Sequence, residues 1–391
     1  MGDNHASETL RETPLAAAHR ALGARMVPFA GYAMPVQYPS GILAEHKWTR
    51  EHAGLFDVSH MGPSFLSLAK PSGDPEADHA AVAAIVESLT CGDIRSLKPG
   101  RIRYTLLMND EGGVLDDLMV ARPAAEAWSG TLYIVVNADT KEADFARFQA
   151  AAGDTAELTR ADDGGLLALQ GPEAVAVMRD IIPSVADLGF MTYGSFAYEG
   201  EKLVISRSGY TGEDGVEILV PPTLVAAFWE RLLADPRVRP IGLGARDSLR
   251  LEAGLPLYGH DLDSTTSPIE ADLGFALSKR RREEGGFPGY DRIRRELQEG
   301  TGRKRVGLAV EGKAPARDGT EILDESGRKV GIVTSGGFGP TIGAPIAMGY
   351  VESSLAAPGT PLTLVVRGKN LAARVAALPF VPHRYFRKSN P

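Results

Sequence analysis

Two glycine-rich stretches decide the fold: Gly331-Ile332-Val333-Thr334-Ser335-Gly336-Gly337-Phe338-Gly339-Pro340-Thr341 and Arg207-Ser208-Gly209-Tyr210-Thr211-Gly212-Glu213-Asp214-Gly215-Val216-Glu217-Ile218. In both, β-branched residues that favour strands alternate with glycines that favour turns. The second stretch joins two predicted strands, 202–206 and 216–220. The first belongs to a series of short strands and glycine turns that starts at Arg303, which predicts a separate small β-barrel or sandwich.

Before Arg303, predicted strands and helices follow one another in irregular order, which indicates an α+β fold. Strands 103–108, 114–121 and 132–137 predict a β-meander with a glycine-bearing loop at 109–113 and a longer, mobile loop at 122–130. We therefore divide the chain into two interleaved mixed α/β domains over 9–275, a polar crossing segment over 276–302 and a C-terminal small β-barrel over 303–391.

Composition limits the functional classes. The net charge of -8 argues against the basic surface that nucleic acid requires. Apolar runs fall far short of the roughly 20 residues that span a bilayer, so no membrane segment is expected. The single cysteine, Cys91, rules out an intrachain disulfide, and no His-x-x-x-His pair exists, so no metal site is expected. The start of the chain shows no secretory signal, and we expect a cytoplasmic protein.

Asp116 and Asp117 interrupt a strand whose other residues favour a pleated, half-buried surface. A carboxylate there must be solvated, paired or used in chemistry. Because side chains alternate along a strand, the two carboxylates face opposite ways and one of them is expected to enter a pocket. An exposed aspartate at a strand end is the alternative that the pattern leaves open.

Four further positions have residues suited to a flat ligand. Tyr133, Val135 and Asn137 share one face of the next strand, where a tyrosine can cover a pterin-like ring and an asparagine can match its amide edge. Glu217 is the lone charge in its strand, and a carboxylate can accept two hydrogen bonds from such a ring. A core tyrosine, a strand-end asparagine and an outward-facing glutamate are the ordinary alternatives.

Arg246 and Arg250 lie four residues apart on one face of a predicted helix and offer a fork for a carboxylate, either a protein partner or a ligand tail. The segment Phe56-Asp57-Val58-Ser59-His60-Met61-Gly62 contains hydrolase-type residues but no Gly-x-Ser-x-Gly elbow, so we discount nucleophilic catalysis. Met61 is instead expected to line a ligand pocket. No phosphate-binding loop is present, because Gly336 to Pro340 lacks the Gly-Lys-Ser/Thr ending.

Further motifs match one family in order along the chain. They are Thr13-Pro14-Leu15, Phe29-Ala30-Gly31-Tyr32, Phe56 to Gly62, Leu169-Gln170-Gly171-Pro172, Ala245-Arg246-Asp247-Ser248-Leu249-Arg250, Leu257-Tyr258-Gly259-His260-Asp261, Ala347-Met348-Gly349-Tyr350-Val351 and Pro379-Phe380-Val381-Pro382. With the two opening stretches, they resemble the aminomethyltransferase, or T-protein, of the glycine cleavage system.

The resemblance implies a three-domain cloverleaf with tetrahydrofolate in a central cavity. The expected reaction transfers the methylene carbon of an aminomethyl group, carried on the lipoyl arm of the H-protein, to tetrahydrofolate. The products are 5,10-methylenetetrahydrofolate, ammonia and the dihydrolipoyl H-protein. The basic run Lys279 to Arg282 offers a docking surface for that acidic partner by charge complementarity, and a merely solvated run is the more common alternative.

The resemblance also assigns roles. It implies that Asp117 is the essential aspartate near the reacting folate nitrogens and that Tyr133, Val135 and Asn137 line the pterin pocket. Glu217 resembles the pterin-binding glutamate, and Arg246 and Tyr385 resemble further folate contacts.

Two alternatives remain at this level. A non-catalytic folate-binding relative that serves iron-sulfur protein assembly would have a cysteine in a Lys-Gly-Cys-Tyr-type motif, whereas this chain reads Glu284-Gly285-Gly286-Phe287-Pro288-Gly289 there. A folate-dependent demethylase acting on a small methylated compound would use the same scaffold, since a fold does not determine the donor.

Overall fold

The computed structural model describes residues 9–388. Within that range the strands of the body before the barrel are β1 (Arg11–Glu12), β2 (Arg25–Phe29), β3 (Tyr32–Gln37), β4 (Ala53–Asp57), β5 (Gly62–Leu68), β6 (Ile102–Met108), β7 (Val114–Ala121), β8 (Thr131–Val136), β9 (Ala156–Arg160), β10 (Gly165–Gln170), β11 (Tyr193–Tyr198), β12 (Glu201–Ser206), β13 (Gly215–Val220) and β14 (Val238–Pro240). The barrel strands are β15 (Arg303–Val310), β16 (Glu321–Leu323), β17 (Lys329–Gly339), β18 (Ala344–Glu352), β19 (Pro361–Val366) and β20 (Lys369–Ala376).

The α-helices of the same range are α1 (Ala16–Ala21), α2 (Ile42–Glu51), α3 (Pro75–Glu87), α4 (Lys141–Ala152), α5 (Ala174–Ile181), α6 (Val225–Leu233), α7 (Leu243–Glu252), α8 (Lys279–Glu284) and α9 (Tyr290–Glu299). Short 3-10 helices occur at Glu126–Trp128, Pro183–Asp187, Gly274–Ala276 and Ser353–Leu355.

A six-stranded sheet in the order β11-β12-β13-β10-β4-β14 forms one half of the body, and β1-β3-β2 form a small sheet beside it. Helix α6 covers the six-stranded sheet with Val225, Phe228, Trp229 and Leu232. These four residues follow the i, i+3, i+4, i+7 spacing of a helix with one buried face. Their burial against the sheet forms the first core of the molecule.

A five-stranded sheet in the order β6-β7-β8-β5-β9 forms the other half. Helices α3 and α4 pack on it through Val82, Val86, Phe145 and Phe148. The chain passes from β4 in the first sheet to β5 in the second and returns at β10, so the two halves are interleaved.

A third cluster of buried residues lies between the two sheets. It includes Phe56 and Leu219 from the six-stranded sheet, Tyr133 from the five-stranded sheet and Leu249 from α7. We call it the inter-sheet cluster. Its partly buried margin contains Met61 and Val135, two of the residues expected in a ligand pocket.

The C-terminal strands close into a barrel in the order β15-β18-β17-β16-β19-β20. Val306, Leu308 and Val310 alternate along β15 into its core. A register shift interrupts β17 between Val333 and Ser335 and lies within the glycine-rich stretch that predicted this part of the fold. The predicted α+β cloverleaf with a small C-terminal β-barrel is confirmed; the domain limits at 275 and 303 stay predictions.

The tight hairpin at 109–113 attaches the Asp116-Asp117 strand to the rest of the molecule. Asn109 Nδ2 donates a hydrogen bond of 2.8 Å to the Ser264 carbonyl oxygen. A Cβ atom added to Gly113 would lie 1.8 Å from the same oxygen, so only glycine allows this close approach. The loop at 264 therefore fixes the start of β7.

The segment 279–286 and the loop at 122–130 each contain a short helix. The segment 279–286, expected as a polar surface crossing, contains α8, and its Arg281 is buried against Glu87 and the Thr90 carbonyl. The loop at 122–130 contains a 3-10 helix at Glu126–Trp128, and its mobility stays a prediction. Among residues 9–388, no helix is long and apolar enough to cross a membrane.

Candidate active site

Asp117 is half-buried on β7 and is held by two side chains. Tyr104 Oη donates to its Oδ2 at 3.0 Å, and Asn137 Nδ2 donates to its Oδ1 at 2.8 Å. The hairpin register explains the first contact: Tyr104 pairs with Met119 and Leu106 pairs with Asp117, so Tyr104 is the diagonal neighbour on the same face.

The protonation of Asp117 is shifted toward neutrality. Burial raises its pKa to about 7, and the neighbouring Asp116 carboxylate adds to the rise against the opposing effect of the Tyr104 and Asn137 hydrogen bonds. A carboxyl group with a pKa near the working pH can both accept and return a proton. This is the property that a proton-transfer group needs.

Asn137 follows the end of β8 and connects both aspartates. Its Nδ2 donates to Asp116 Oδ1 at 2.8 Å as well as to Asp117, and its backbone N–H donates to Asp116 Oδ2 at 2.9 Å. The amide hydrogens of Asn137 are thus already engaged. Only its side-chain carbonyl oxygen is left for a ligand. Asn137 can therefore accept a hydrogen bond from a pterin edge, but it has no side-chain N–H left to donate to that edge.

Four of the other expected residues converge around the inter-sheet cluster. Tyr133, Val135 and Met61 lie in or beside it. Glu217 is half-buried on β13, two positions before the cluster residue Leu219 and therefore on the same strand face. Glu217 and burial together raise the pKa of the Tyr133 hydroxyl, with burial the larger cause.

Glu217 is only partly occupied by protein partners. Ser208 Oγ donates to its Oε2 at 2.7 Å. Its Oε1 is available for a ligand donor in the strand context that otherwise disfavours a charge. A two-donor ligand edge could therefore bind here without displacing Ser208.

Arg246 extends from α7 toward the turn at 207–215, where its guanidinium lies 4.8 Å from the ring centroid of Tyr210. Burial lowers the pKa of Arg246, while Tyr210 and Glu217 act in the opposite direction. It lines a cavity of roughly 350 Å³ together with Phe29, Tyr210, His260, Arg317 and Ser335. This volume falls within the range of small-molecule sites, and the wall contains both arginines and the carboxylates of Asp247 and Asp318.

Arg250 binds protein carboxylates, which is one of the two alternatives that the shared helix face left open. It is buried, and it pairs with Asp261 at 2.9 Å and bonds Ser335 Oγ at 2.9 Å. These contacts attach α7 to the barrel.

Among residues 9–388, the ring contacts of Tyr385 are with Phe190 and His383 and not with the other residues expected at the folate site. Its ring stacks on Phe190 with 4.0 Å between centroids and lies 4.9 Å from His383. The tail is held by a hydrogen bond of 2.8 Å from the Arg384 N–H to the Gly212 carbonyl, next to the Tyr210 turn. A folate contact by Tyr385 stays a prediction.

Sequence patterns missed Tyr104 and Tyr210, which both approach Asp117. Tyr104 bonds it directly, and the Asp117 charge contributes to the raised pKa of both tyrosines, for which burial is the main cause. The place of Tyr104 beside Asp117 could have been predicted from the hairpin loop at 109–113, because the length of that loop determines which residues of β6 and β7 face each other.

His60 is a third neighbour of the site whose place there the sequence patterns did not predict. It is buried, packs edge-on to Phe29 at 5.5 Å, and its Nδ1 has no hydrogen-bond partner among the described residues. Burial lowers its pKa to about 3, and the Arg246 and Lys141 charges act in the same direction. His60 is therefore neutral at physiological pH.

The basic run Lys279 to Arg282 is largely committed to internal pairs. Arg280 binds Glu87 and Asp93 at 2.5 and 2.6 Å, Arg281 is buried, and Arg282 donates to the Leu277 and Gly274 carbonyls. Lys279, with 89% of its side chain exposed and beside Glu283, and Arg282 are the exposed members of the run. The structure thus gives little support for docking an acidic partner on this run.

The described residues contain no group of three or more His, Cys, Asp or Glu side chains arranged to hold a metal ion. The site is thus built from carboxylates, tyrosines, an amide and an arginine. These groups can bind a flat polar ring, hold a tail carboxylate and move protons.

Comparison with known families defines the class to which this fold and site belong. Residues 15–281 match the GCVT N-terminal domain, and residues 303–382 match the glycine cleavage T-protein C-terminal barrel domain. A crystal structure of the glycine cleavage system aminomethyltransferase T from Bartonella henselae aligns with a TM-score of 0.89 and 42% identity, covering 97% of this chain and 100% of that one.

Two curated relatives agree over nearly their full lengths. The probable mitochondrial aminomethyltransferase of Schizosaccharomyces pombe is 45% identical over 388 residues, with 98% of this chain and 96% of the relative covered. The mitochondrial aminomethyltransferase of Gallus gallus is 44% identical over 393 residues, with 97% and 95% covered. The chain belongs to the aminomethyltransferase family, the T-proteins of the glycine cleavage system.

This membership confirms the predicted family and enzyme class. The predicted cytoplasmic location is wrong, because the curated relatives from Schizosaccharomyces pombe, Dictyostelium discoideum and Gallus gallus are named as mitochondrial proteins. Composition and net charge do not separate the two compartments, and residues 1–8, on which that prediction also relied, lie outside the described residues.

Proposed function

We propose that this chain transfers the methylene carbon of an aminomethyl group on lipoylated H-protein to tetrahydrofolate, with Asp117 as its proton-transfer residue. The observation that carries the proposal is the position of Asp117, a half-buried carboxyl with a pKa raised to about 7 between Tyr104 and Asn137. Membership of the T-protein family supports the choice of donor and acceptor.

The reaction needs proton movement but no oxidation or reduction. Two C–N bonds form between the carbon and two folate nitrogens, which release their two N–H protons. One C–S bond and one C–N bond break, and the leaving sulfur and amine take up one proton each. A carboxyl group that is half-protonated near neutral pH can take a proton from a folate nitrogen and return it to a leaving group.

The remaining groups suit binding and alignment. Glu217 accepts from the amino and amide N–H groups of the pterin ring through the carboxylate oxygen that Ser208 leaves available. Tyr133, Val135 and Met61 cover the ring with apolar surface. Arg246, in the wall of the 350 Å³ cavity, pairs with a carboxylate of the folate tail.

Alignment supplies much of the rate. Holding the folate nitrogens next to the aminomethyl carbon can contribute on the order of 7 kcal/mol or more by removing the cost of bringing the partners together. Covering that contact with the inter-sheet cluster also keeps water away from the reactive carbon.

Tetrahydrofolate binding tests the acceptor part of the proposal. We would titrate the wild-type chain, Glu217→Gln and the control Glu157→Gln, an exposed residue of β9, by calorimetry without H-protein. Loss of one charged hydrogen-bond acceptor is expected to weaken binding by roughly 10- to 100-fold in Glu217→Gln. Equal affinity in all three proteins would remove Glu217 from the folate site.

A further inference from the structure

We propose that Arg384 is a positioning residue for the folate site: it holds the turn at 207–215, and that turn holds side chains that contact the folate-binding groups. The proposal rests on the function described above, because it takes Glu217 and Arg246 as the groups that bind tetrahydrofolate. Arg384 lies in the segment that follows the last barrel strand. We call residues 380–388 the C-terminal strap.

The C-terminal strap leaves the barrel and lies along the body of the molecule. Near its start, the Val381 N–H donates to the Glu252 carbonyl at 2.9 Å. Near its end, the Phe386 carbonyl accepts from the Phe190 N–H at 2.8 Å. Neither bond uses a side chain of the strap, so a substitution at position 384 leaves both attachments available.

Arg384 contacts the turn through its backbone and its side chain. Its N–H donates to the Gly212 carbonyl at 2.8 Å, and its Nη2 donates to Glu213 Oε1 at 2.6 Å. The same Nη2 donates to the Arg50 carbonyl at 2.7 Å, which connects the turn to the end of α2. Three hydrogen bonds from one residue thus join the strap, the turn and a helix of the body.

Glu213 is the buried acceptor on which this attachment depends. Its side chain is 1% exposed, and Arg50 Nη1 donates at 2.7 Å to the same Oε1 that Arg384 binds. Its Oε2 has no hydrogen-bond partner among the described residues. A buried carboxylate is costly unless donors compensate it, so the loss of one of two cations loosens its hold. Because Arg50 still pairs with Glu213, we expect the turn to open more easily without unfolding of the chain.

The turn reaches the ligand side through two residues. Ser208 Oγ donates to Glu217 Oε2 at 2.7 Å, and the Tyr210 ring centroid lies 4.8 Å from the Arg246 guanidinium. Glu217 is proposed to bind the pterin edge, and Arg246 the folate tail. Displacement of the turn therefore disturbs the protein partners of both groups at once.

Hydrogen exchange on the ligand-free full chain tests whether Arg384 holds the turn. In Arg384→Ala, the backbone amides of 207–215 should exchange at least about 10-fold faster than in wild type, because local opening becomes easier, while those of β15 and β18 should be unchanged. Arg387→Ala is the matched control. It removes the same charge from the same strap, and its guanidinium lies 5.6 Å from the Phe190 ring centroid, outside the turn. Equal exchange at 207–215 in Arg384→Ala and wild type would overturn the proposal.

Tetrahydrofolate titration and turnover test the consequence for the ligand. Arg384→Ala should weaken binding by roughly 5- to 10-fold, less than Glu217→Gln, because the effect is indirect. It should change kcat by no more than about twofold, since the two donors to Asp117 lie outside the turn. Arg384→Lys keeps a cation near Glu213 and should recover part of the binding. A merely structural role would lower binding, kcat and melting temperature together, and faster exchange with wild-type folate affinity would also overturn the proposal.

The two measurements separate failure of this proposal from failure of the proposed function. If the wild-type chain binds no tetrahydrofolate, the acceptor assignment fails, and the exchange data still decide whether Arg384 holds the turn. If Arg387→Ala weakens binding as much as Arg384→Ala, the effect comes from net charge, and the positioning role is excluded. Thermal melts show whether each variant is folded. If Arg384→Ala does not fold, Arg384→Gln replaces it with the same expected directions.

Discussion

Asp117 lies within a strand, where a charged side chain is disfavoured, and two hydrogen-bond donors hold its carboxyl group in a fixed orientation. Tyr104 and Asn137 hold its two oxygens, and burial with Asp116 raises its pKa to about 7. These opposing influences are typical of a functional residue maintained at a cost in stability.

Asp117→Asn should lower kcat for methylene transfer by at least about 100-fold, because the variant keeps the size of the side chain but cannot accept a proton. Tetrahydrofolate affinity should change by no more than about threefold, since the pterin contacts lie elsewhere. Single-turnover kinetics and folate titration measure the two effects separately. Asp110→Asn, at an exposed position of the same hairpin loop, is the control and should match the wild type.

The same substitution should change stability with pH. The folded Asp117 holds a proton up to about pH 7, whereas the unfolded chain releases it near pH 4, so the free energy of unfolding falls as pH rises between these values. Asp117→Asn has no carboxyl group at this position and therefore does not lose unfolding free energy in this way. We expect it to be more stable than wild type by up to about 4 kcal/mol at pH 8, with the difference disappearing near pH 4.

Urea denaturation at pH 4, 6 and 8 would measure that difference. Equal pH dependence in wild type and Asp117→Asn would show that the raised pKa of Asp117 is absent in the folded protein.

At the residue scale, the sequence predicted Asp117 and Glu217 because a charge within a strand is conspicuous. It did not predict Tyr104, because a tyrosine is unremarkable until the strand register brings it to Asp117. For the same reason it could not show that the Asn137 amide is already engaged by two carboxylates.

At the scale of elements, the hairpin between β6 and β7 contains Asp117 and Tyr104, and its loop is held by the hydrogen bond from Asn109 to Ser264. Strands β6, β7, β8, β12 and β13 were predicted to within about one residue from apolar periodicity and glycine turns. The burial of Arg281 in the segment 279–286 was not predictable, because it depends on Glu87 from α3, which is distant in sequence.

Gly113→Ala tests whether the close contact with Ser264 holds the hairpin loop in place. The added methyl group would overlap the Ser264 carbonyl, so we expect a loss of about 1–3 kcal/mol in unfolding free energy and a lower kcat from displacement of β7. Gly302→Ala is the matched control, because no atom lies within 4 Å of its added Cβ. Denaturant melts of both variants measure the effect, and equal stability of the two would show that the loop at 264 does not hold the hairpin.

At the scale of the whole molecule, a buried ionic network joins the body to the barrel. Glu252 at the end of α7 contacts His46 and Arg50 of α2 at 3.1 and 3.0 Å, and it accepts from the Thr341 N–H after β17 at 2.7 Å. Long-range contacts of this kind were outside the reach of sequence patterns, although the barrel itself was predicted from its glycine turns.

Glu252→Ala should destabilise the protein by about 3–5 kcal/mol, because it leaves Arg50 and His46 buried with an incomplete set of partners. Glu352→Ala, which removes an exposed partner of Arg328, is the control and should leave the melting temperature unchanged. Differential scanning calorimetry distinguishes the two. A Glu252→Ala protein as stable as Glu352→Ala would show that the network does not connect barrel and body.

The most direct test of the central claim is turnover by the purified chain with aminomethyl-loaded H-protein, with and without tetrahydrofolate, following ammonia and 5,10-methylenetetrahydrofolate. We predict that both products form together, that formation depends on tetrahydrofolate, and that Asp117→Asn slows it by at least about 100-fold. Tight tetrahydrofolate binding without transfer, or unchanged transfer by Asp117→Asn, would contradict the claim.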